Sequence, residues 1–245
     1  MKKIFNQTVL YSSKEVIQKC EELSKKSWRK NMANKTQILK ILGDWQDVVD
    51  DCRATVSKPP LGKEPSTKFK KSILISEHSP IRDIIFRWKW SGIKSWVATH
   101  WVRHHWECRV STQRNDRQDK YDRNKAPQDA PVDFVGQANT QSLIDTERKR
   151  LCVMAAKETR EQAEDLKCTI HEVQPEIGDV LVPNCIYRGG CPEGENNCHW
   201  YDHPEHGFLA RHPEITPFTT LQERYDIYNK EFYEKYSHNG GQNDD

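Results

Sequence analysis

Apolar residues change period several times along the chain, and each change predicts an element. Over residues 13 to 54, Val16, Cys20, Leu23 and Trp28, then Ile38, Ile41, Leu42 and Trp45, recur at helical spacing and predict two amphipathic helices. Residues 56 to 72 are rich in Pro, Lys and Ser and predict a loop. Ile84, Phe86, Trp88 and Trp90 then alternate with Ile85, Arg87 and Lys89, the pattern of a half-buried strand, which Ser91-Gly92 is expected to break. Ile93, Trp96, Val97, His100, Trp101 and His104 fall at i, i+3, i+4, i+7, i+8 and i+11, predicting a helix with one inward stripe. Residues 109 to 133 are polar, carry Pro127 and Pro131, and predict a site loop. Leu143, Ile144, Leu151, Met154, Ala155 and Leu166 mark one long helix from Gln137 to about Val173, ended by Pro175. An aromatic helix follows around Tyr225, Tyr228, Phe232 and Tyr236, and Asn239 to Asp245 read as a disordered tail.

Composition narrows the class. Apolar residues make up only 35% of the 245 positions, so charge must cover much of the surface. Lys and Arg number 38 against 36 Asp and Glu, which gives no electrostatic case for nucleic acid or a membrane as the main partner. The basic run Lys68 to Lys71 reads as solvated surface. No apolar run approaches the roughly 20 residues that span a bilayer, and the N-terminus lacks the apolar core of a signal peptide, so a cytoplasmic protein is expected. Without an export signal, the eight cysteines read as reduced thiols or metal ligands rather than a disulfide framework. Cys185, Cys191 and Cys198 cluster near His199, His203 and His206, but they lack paired C-x-x-C knuckles, and no metal ligand set is assigned.

The helical stripe ends in Arg103, His104 and His105 beside Trp96 and Trp101. An arginine fork there suits a phosphate and an imidazole can lie against an aromatic cofactor; equally, basic residues at a helix end complement its dipole. Asn139 and Arg150 stand eleven residues apart. That is about three turns, so on one helix they project nearly in line and a ligand lying along it touches both. Read singly, they are an exposed Asn and an ordinary surface Arg. Ser111 reads as a loop cap as readily as a site residue. Cys108 has no neighbouring base that would make it a nucleophile, and Glu107 and Asp116 read as solvated loop residues.

Several motifs stand in one order. Glu77-His78-Ser79-Pro80 precedes the strand, Arg103-His104-His105 ends the helix, and Arg123 lies four residues before Pro127. Asn139-Thr140-Gln141-Ser142-Leu143 leads to Arg150 and then Ala155-Ala156-Lys157-Glu158-Thr159-Arg160. From about His78 to Arg160 this series resembles the flavin-dependent thymidylate synthases, which methylate deoxyuridylate with reduced flavin rather than a cysteine nucleophile. The resemblance implies an α+β fold, an antiparallel sheet flanked by helices, in residues 1–175. Residues 176–245 would form a C-terminal extension packed on it and carrying the Cys/His stretch. It further implies FAD as cofactor, methylenetetrahydrofolate as carbon donor, NADPH as reductant, and a dUMP-like nucleotide as substrate. His78, Arg103, His104, His105, Asn139 and Asp145 are the implied flavin contacts, Asp145 standing where the family has a second asparagine. His100, Arg114, Arg123 and Arg150 are the implied nucleotide contacts, and Ser111 and Arg150 the implied catalytic residues. Family members are homotetramers with sites between subunits. Such an enzyme contributes position and electrostatics while the cofactor carries the redox chemistry, so no catalytic dyad is required.

The chain also departs from the family. His105 replaces the last arginine of the first motif, and the motif's acid, second serine and final arginine fall on Ser111, Gln113 and Asn115. A small slip brings Ser111 and Arg114, or Arg117, into those roles. The helices that the family inserts before Arg123 are missing, so the nucleotide end of the site is expected to be remodelled. Three outcomes remain open: thymidylate synthesis, a related flavin- and folate-dependent modification such as hydroxymethylation or action on another pyrimidine, and a noncatalytic nucleotide-binding protein.

Overall fold

The computed structural model describes residues 36–111, 114–117 and 122–238. The predicted helix over Val16 to Trp28 and the predicted tail from Asn239 lie outside them. At the centre is β2 (Ile85–Lys94). Phe86, Trp88 and Trp90 are wholly buried on one side while Arg87 is exposed on the other, the period-two alternation of a sheet with one packed face. β1 (Gln37–Leu42) and β4 (Pro131–Asn139) flank β2, and β3 (Glu107–Val110) adds to β4, making a four-stranded antiparallel sheet in the order β1-β2-β4-β3.

The sheet corrects four of the expectations. Ile38, Ile41 and Leu42 lie in β1 and not in a helix; so short an apolar run fits either period, and pairing with β2 decides it. The polar stretch 109–133 is framed by a strand at each end, and β4 takes residues 137–139 from the predicted long helix. Ser91-Gly92 bends β2 without breaking it: Gly92, at φ +70°, takes up the register shift between Trp90 and Ile93. Gly136 faces Trp88 across the ladder, where a Cβ would run into the indole. The ring therefore crosses β4 and meets Trp106 edge-on at 4.9 Å; Trp106 stacks on Trp101 at 5.2 Å, and Trp101 packs on Trp90 at 4.9 Å.

Helices close the packed face. α1 (Trp45–Ala54) starts at a capping box made by Asp44 and Asp47. α2 (Thr67–Ile75) starts inside the predicted loop and runs past its end; Ser66 caps it, and Ile73 and Leu74 bury its inner side. Its Lys70 is not solvated, but lies over the Trp45 ring and pairs with Glu64 at 2.6 Å. α3 (Ser95–Trp101) packs on β2 and β4. The single helix expected from Gln137 is β4's end followed by α4 (Thr140–Arg150) and α5 (Lys157–Val173). Residues 151–156 carry no Gly or Pro; the turn is held by local contacts, the Ala155 N–H donating to the Cys152 carbonyl at 2.9 Å and Arg160 to the Val153 carbonyl at 2.7 Å. Pro175 does end α5, and opens α6 (Pro175–Val180). α7 (Asn184–Arg188), α8 (Phe208–Arg211) and the expected aromatic helix α9 (Leu221–His238) follow. Ile177, Leu181, Ile186, Phe208, Tyr225 and Phe232 join the same continuous core as the tryptophans. No described helix is long and apolar enough to cross a membrane.

Candidate functional site

The residues singled out in the sequence gather in three places around α3 and α4. On the side of α3 turned to α4 and α5, the Arg150 Nε donates to His104 Nε2 at 2.7 Å and its Nη2 to the His100 carbonyl at 2.7 Å. The guanidinium lies 5.8 Å from the Trp101 ring centre. Because His104 Nε2 accepts, the proton of the neutral ring sits on Nδ1. Burial, then the nearby Arg150 charge, pushes His104 down to about 4, so the ring is neutral at ordinary pH. His100 is lowered by the same two causes, and its Nδ1 lies 2.8 Å from the Thr159 hydroxyl.

The opposite face of α3 lines an open cavity. Ser95, Ala98, Thr99 and Val102, at i, i+3, i+4 and i+7, form one wall of a space of about 680 Å³, and Ser111, Arg114 and Arg123 stand on the others. Arg114 forks onto Asp116 at 2.8 and 2.6 Å, and Arg123 is exposed. Ser111 continues the β3–β4 ladder: its N–H donates to the Asp133 carbonyl at 2.8 Å and its Oγ accepts from the Asp133 N–H at 3.0 Å. Ser111, Arg114 and Arg123 therefore share one cavity, while His100, His104 and Arg150 lie behind the helix.

Arg103 and His105 are exposed at the end of α3. Glu107 pairs with Gln137 at the start of β3, and His105 lies two residues before it. Asn139 is the N-cap of α4 and not a helical residue: its Oδ1 accepts from the Ser142 N–H at 2.9 Å, so it does not share a helix face with Arg150 as the spacing predicted. Its amide nitrogen remains a donor. Asp145 belongs to a third group built around Glu77, the residue that precedes His78. Glu77 binds Gln141 at 2.7 Å and pairs with Arg148, which also reaches Asp145 at 3.4 Å. Gln141, Asp145 and Arg148 make up a different face of α4 from Glu147 and Arg150.

Sequence reasoning missed two buried charges. Glu147 is completely buried, neither of its oxygens accepts a hydrogen bond from the described residues, and burial raises its pKa well above the usual carboxylate value against the pull of Lys167 and Arg150. Lys167 is equally buried, donates to the Gly178 carbonyl and Asn229 Oδ1 at 2.8 and 2.7 Å, and is lowered by burial to about 8. The readable signal was a charge on an apolar stripe: Leu143, Glu147 and Leu151 in one helix, Ala163, Lys167 and Ile170 in the other. A second cavity, of about 580 Å³, opens beyond the end of α4 and is lined by Cys152, Cys185, Cys191 and Cys198 with Trp200, Tyr201, Tyr228 and Phe232. Among the described residues, no group of three or more His, Cys, Asp or Glu side chains is set to hold a single metal ion.

No protein-family model and no curated protein matches the chain. Among solved structures, the UMP/dUMP methylase PolB from Streptomyces cacaoi, bound with 5-Br dUMP, superposes with a TM-score of 0.50 at 10% identity, over 60% of this chain and 94% of that one. The likeness is one of fold. It places the mixed α and β arrangement, a four-stranded antiparallel sheet with helices, among architectures that solved proteins adopt.

Proposed function

We propose that this chain methylates dUMP to dTMP, with FAD as its resident cofactor and methylenetetrahydrofolate and NADPH as co-substrates. The reading rests on one conjunction: the fold matches along 94% of a UMP/dUMP methylase, and six of the motif residues stand on the two sides of a single helix, His100, His104 and Arg150 on one and Ser111, Arg114 and Arg123 on the other. The balanced reaction consumes dUMP, methylenetetrahydrofolate and NADPH with a proton, and yields dTMP, tetrahydrofolate and NADP⁺. The donor set at the end of α3 fits FAD. Arg103 and His105 supply exposed cationic or hydrogen-bonding groups for a diphosphate, and the neutral His104 and the Asn139 amide supply donors for a ring edge. Reduced flavin would supply the hydride that turns the transferred carbon into a methyl group.

The protein's part is to bind, orient and exclude water. Arg123 is a permanent charge at the wall of an open cavity, and Arg114 can leave a surface ion pair for a phosphate. Arg150, fixed by His104 and the His100 carbonyl, presents its remaining nitrogen in a set direction towards a pyrimidine carbonyl. One chain keeps these two groups on opposite faces of α3, so the reading includes a homo-oligomer in which copies complete one another's sites. The test is mass spectrometry of dUMP after anaerobic incubation with the purified protein, FAD, methylenetetrahydrofolate and NADPH. A gain of one methyl group is expected. A hydroxymethyl gain would move the reading to a diverted last step, and an unchanged nucleotide would remove dUMP methylation.

A further inference from the structure

Cysteines from two distant stretches meet at the second cavity. Cys152 follows the end of α4, Cys185 lies in α7, and Cys191 and Cys198 stand in the turns after it. All four line the same space, and Cys152 and Cys185 each lie within Coulombic reach of Cys191 and Cys198. None forms a disulfide. Between α7 and α8, Tyr201 joins the core and Trp200 packs against it, but residues 189–199 are held by local contacts such as Asn197 to Asp202 at 2.9 Å, and their regular structure is a single short turn, Gly194–Asn196. Gly189, Gly194 and His199 take positive φ there, letting the backbone wrap closely around the cysteines. A segment so poor in core residues gains order from a bound metal where apolar burial is insufficient.

We propose that Cys152, Cys185, Cys191 and Cys198 form a four-thiolate metal centre that ties the end of α4 to the C-terminal segment. Four sulfur ligands select a soft metal, either one zinc ion or an iron–sulfur cluster, over hard cations. A single zinc ion needs all four sulfurs at about 2.3 Å, and the described side chains do not converge that closely, whereas a cluster is ligated by thiolates spread around its edges. The cavity wall carries Arg148, Lys149, Arg150, Arg160 and Lys235 against Glu164, Glu193 and Glu231, five cations to three carboxylates, and that excess positive charge offsets the negative charge of either centre. Cys152 stands two residues beyond Arg150, so the centre also fixes the turn from which that guanidinium projects. The proposal is independent of the nucleotide chemistry.

The test is elemental and sulfide analysis of protein purified under argon without chelators, with its visible spectrum. About one zinc per chain and no visible absorbance would identify a mononuclear site; about four irons and four sulfides with broad visible absorbance would identify a cluster. In either case Cys191→Ser and Cys198→Ser should lose the metal, and Cys52→Ser and Cys108→Ser should keep it. If the serine variants do not fold, alkylation of the wild-type protein decides: the four thiols should resist an alkylating reagent until the metal is removed. Protein that is isolated without metal and takes up neither zinc nor iron with sulfide overturns the proposal, as do four thiols that alkylate freely in loaded protein.

Discussion

On the inner side of α3, the guanidinium of Arg150 gives two nitrogens to His104 and the His100 carbonyl and lies near the Trp101 ring. On the outer side, Arg123 stands exposed over a cavity, and Arg114 pairs with a neighbouring exposed Asp116. Both sides are cationic and both contain residues of the same motif series, yet one is built into the protein and the other faces solvent. Hydrogen bonds to a charged group contribute about 1.5–3 kcal/mol; an exposed ion pair such as Arg114–Asp116 contributes about 0–1 kcal/mol and is easily exchanged for a ligand. The contrast separates a guanidinium that is held in place from guanidiniums that remain available.

Four changes break or sharpen that comparison, taken from the largest effect. Trp101→Ala removes the ring that joins Trp90, Trp106 and Arg150, and should cost about 3–5 kcal/mol in denaturant unfolding, enough to collapse the inner side while the outer residues stay exposed. Arg150→Ala should cost about 1.5–3 kcal/mol, since it leaves the His100 carbonyl and His104 Nε2 without their donor and Glu147 with Lys167 but without the second cation near it; a melting temperature equal to wild type would show that the inner side carries no structural share. Arg123→Ala should leave stability within about 0.5 kcal/mol and lower dUMP affinity at least tenfold in calorimetric titration, equivalent to about 1.4 kcal/mol.

The smallest effect is a pH dependence. His104 is held at about 4, below its ordinary 6.5, so between those values the unfolded chain binds the extra proton. Stability therefore rises with pH across that window and is lost as pH falls from 6.5 towards 4. His104→Gln keeps an acceptor for Arg150 without the titration, and should flatten the melting-temperature profile there relative to wild type. Parallel profiles would remove His104 from the pH response.

The strand through Phe86, Trp88 and Trp90, the stop at Pro175 and the aromatic helix around Tyr228 were legible because each rests on local periodicity or a single breaker. β1 and β4 were not: Ile38 and Leu42 fit two periods, and the alternation of Val132, Phe134, Gly136 and Ala138 is hidden by two small residues. The break between Arg150 and Lys157 has no Gly or Pro to mark it, and the Arg160 side chain that donates to the Val153 carbonyl looks in sequence like any other helical arginine. For the site, the order of Arg103, Arg123 and Arg150 was readable, but the side of α3 each occupies was not, because that depends on the register of β3 against β4. Cys152 was invisible as a partner of Cys185, Cys191 and Cys198 for the same reason: the fold, and not spacing, brings them to one cavity.

The account stands most directly on whether the two sides of α3 serve one site completed between copies. Arg123→Ala and Arg150→Lys are each assayed for dUMP methylation alone, and then after mixing under conditions that exchange subunits. The account predicts two weak enzymes whose mixture regains a substantial part of wild-type activity, because some sites then combine an intact Arg123 with an intact Arg150. A mixture no more active than its components would contradict it.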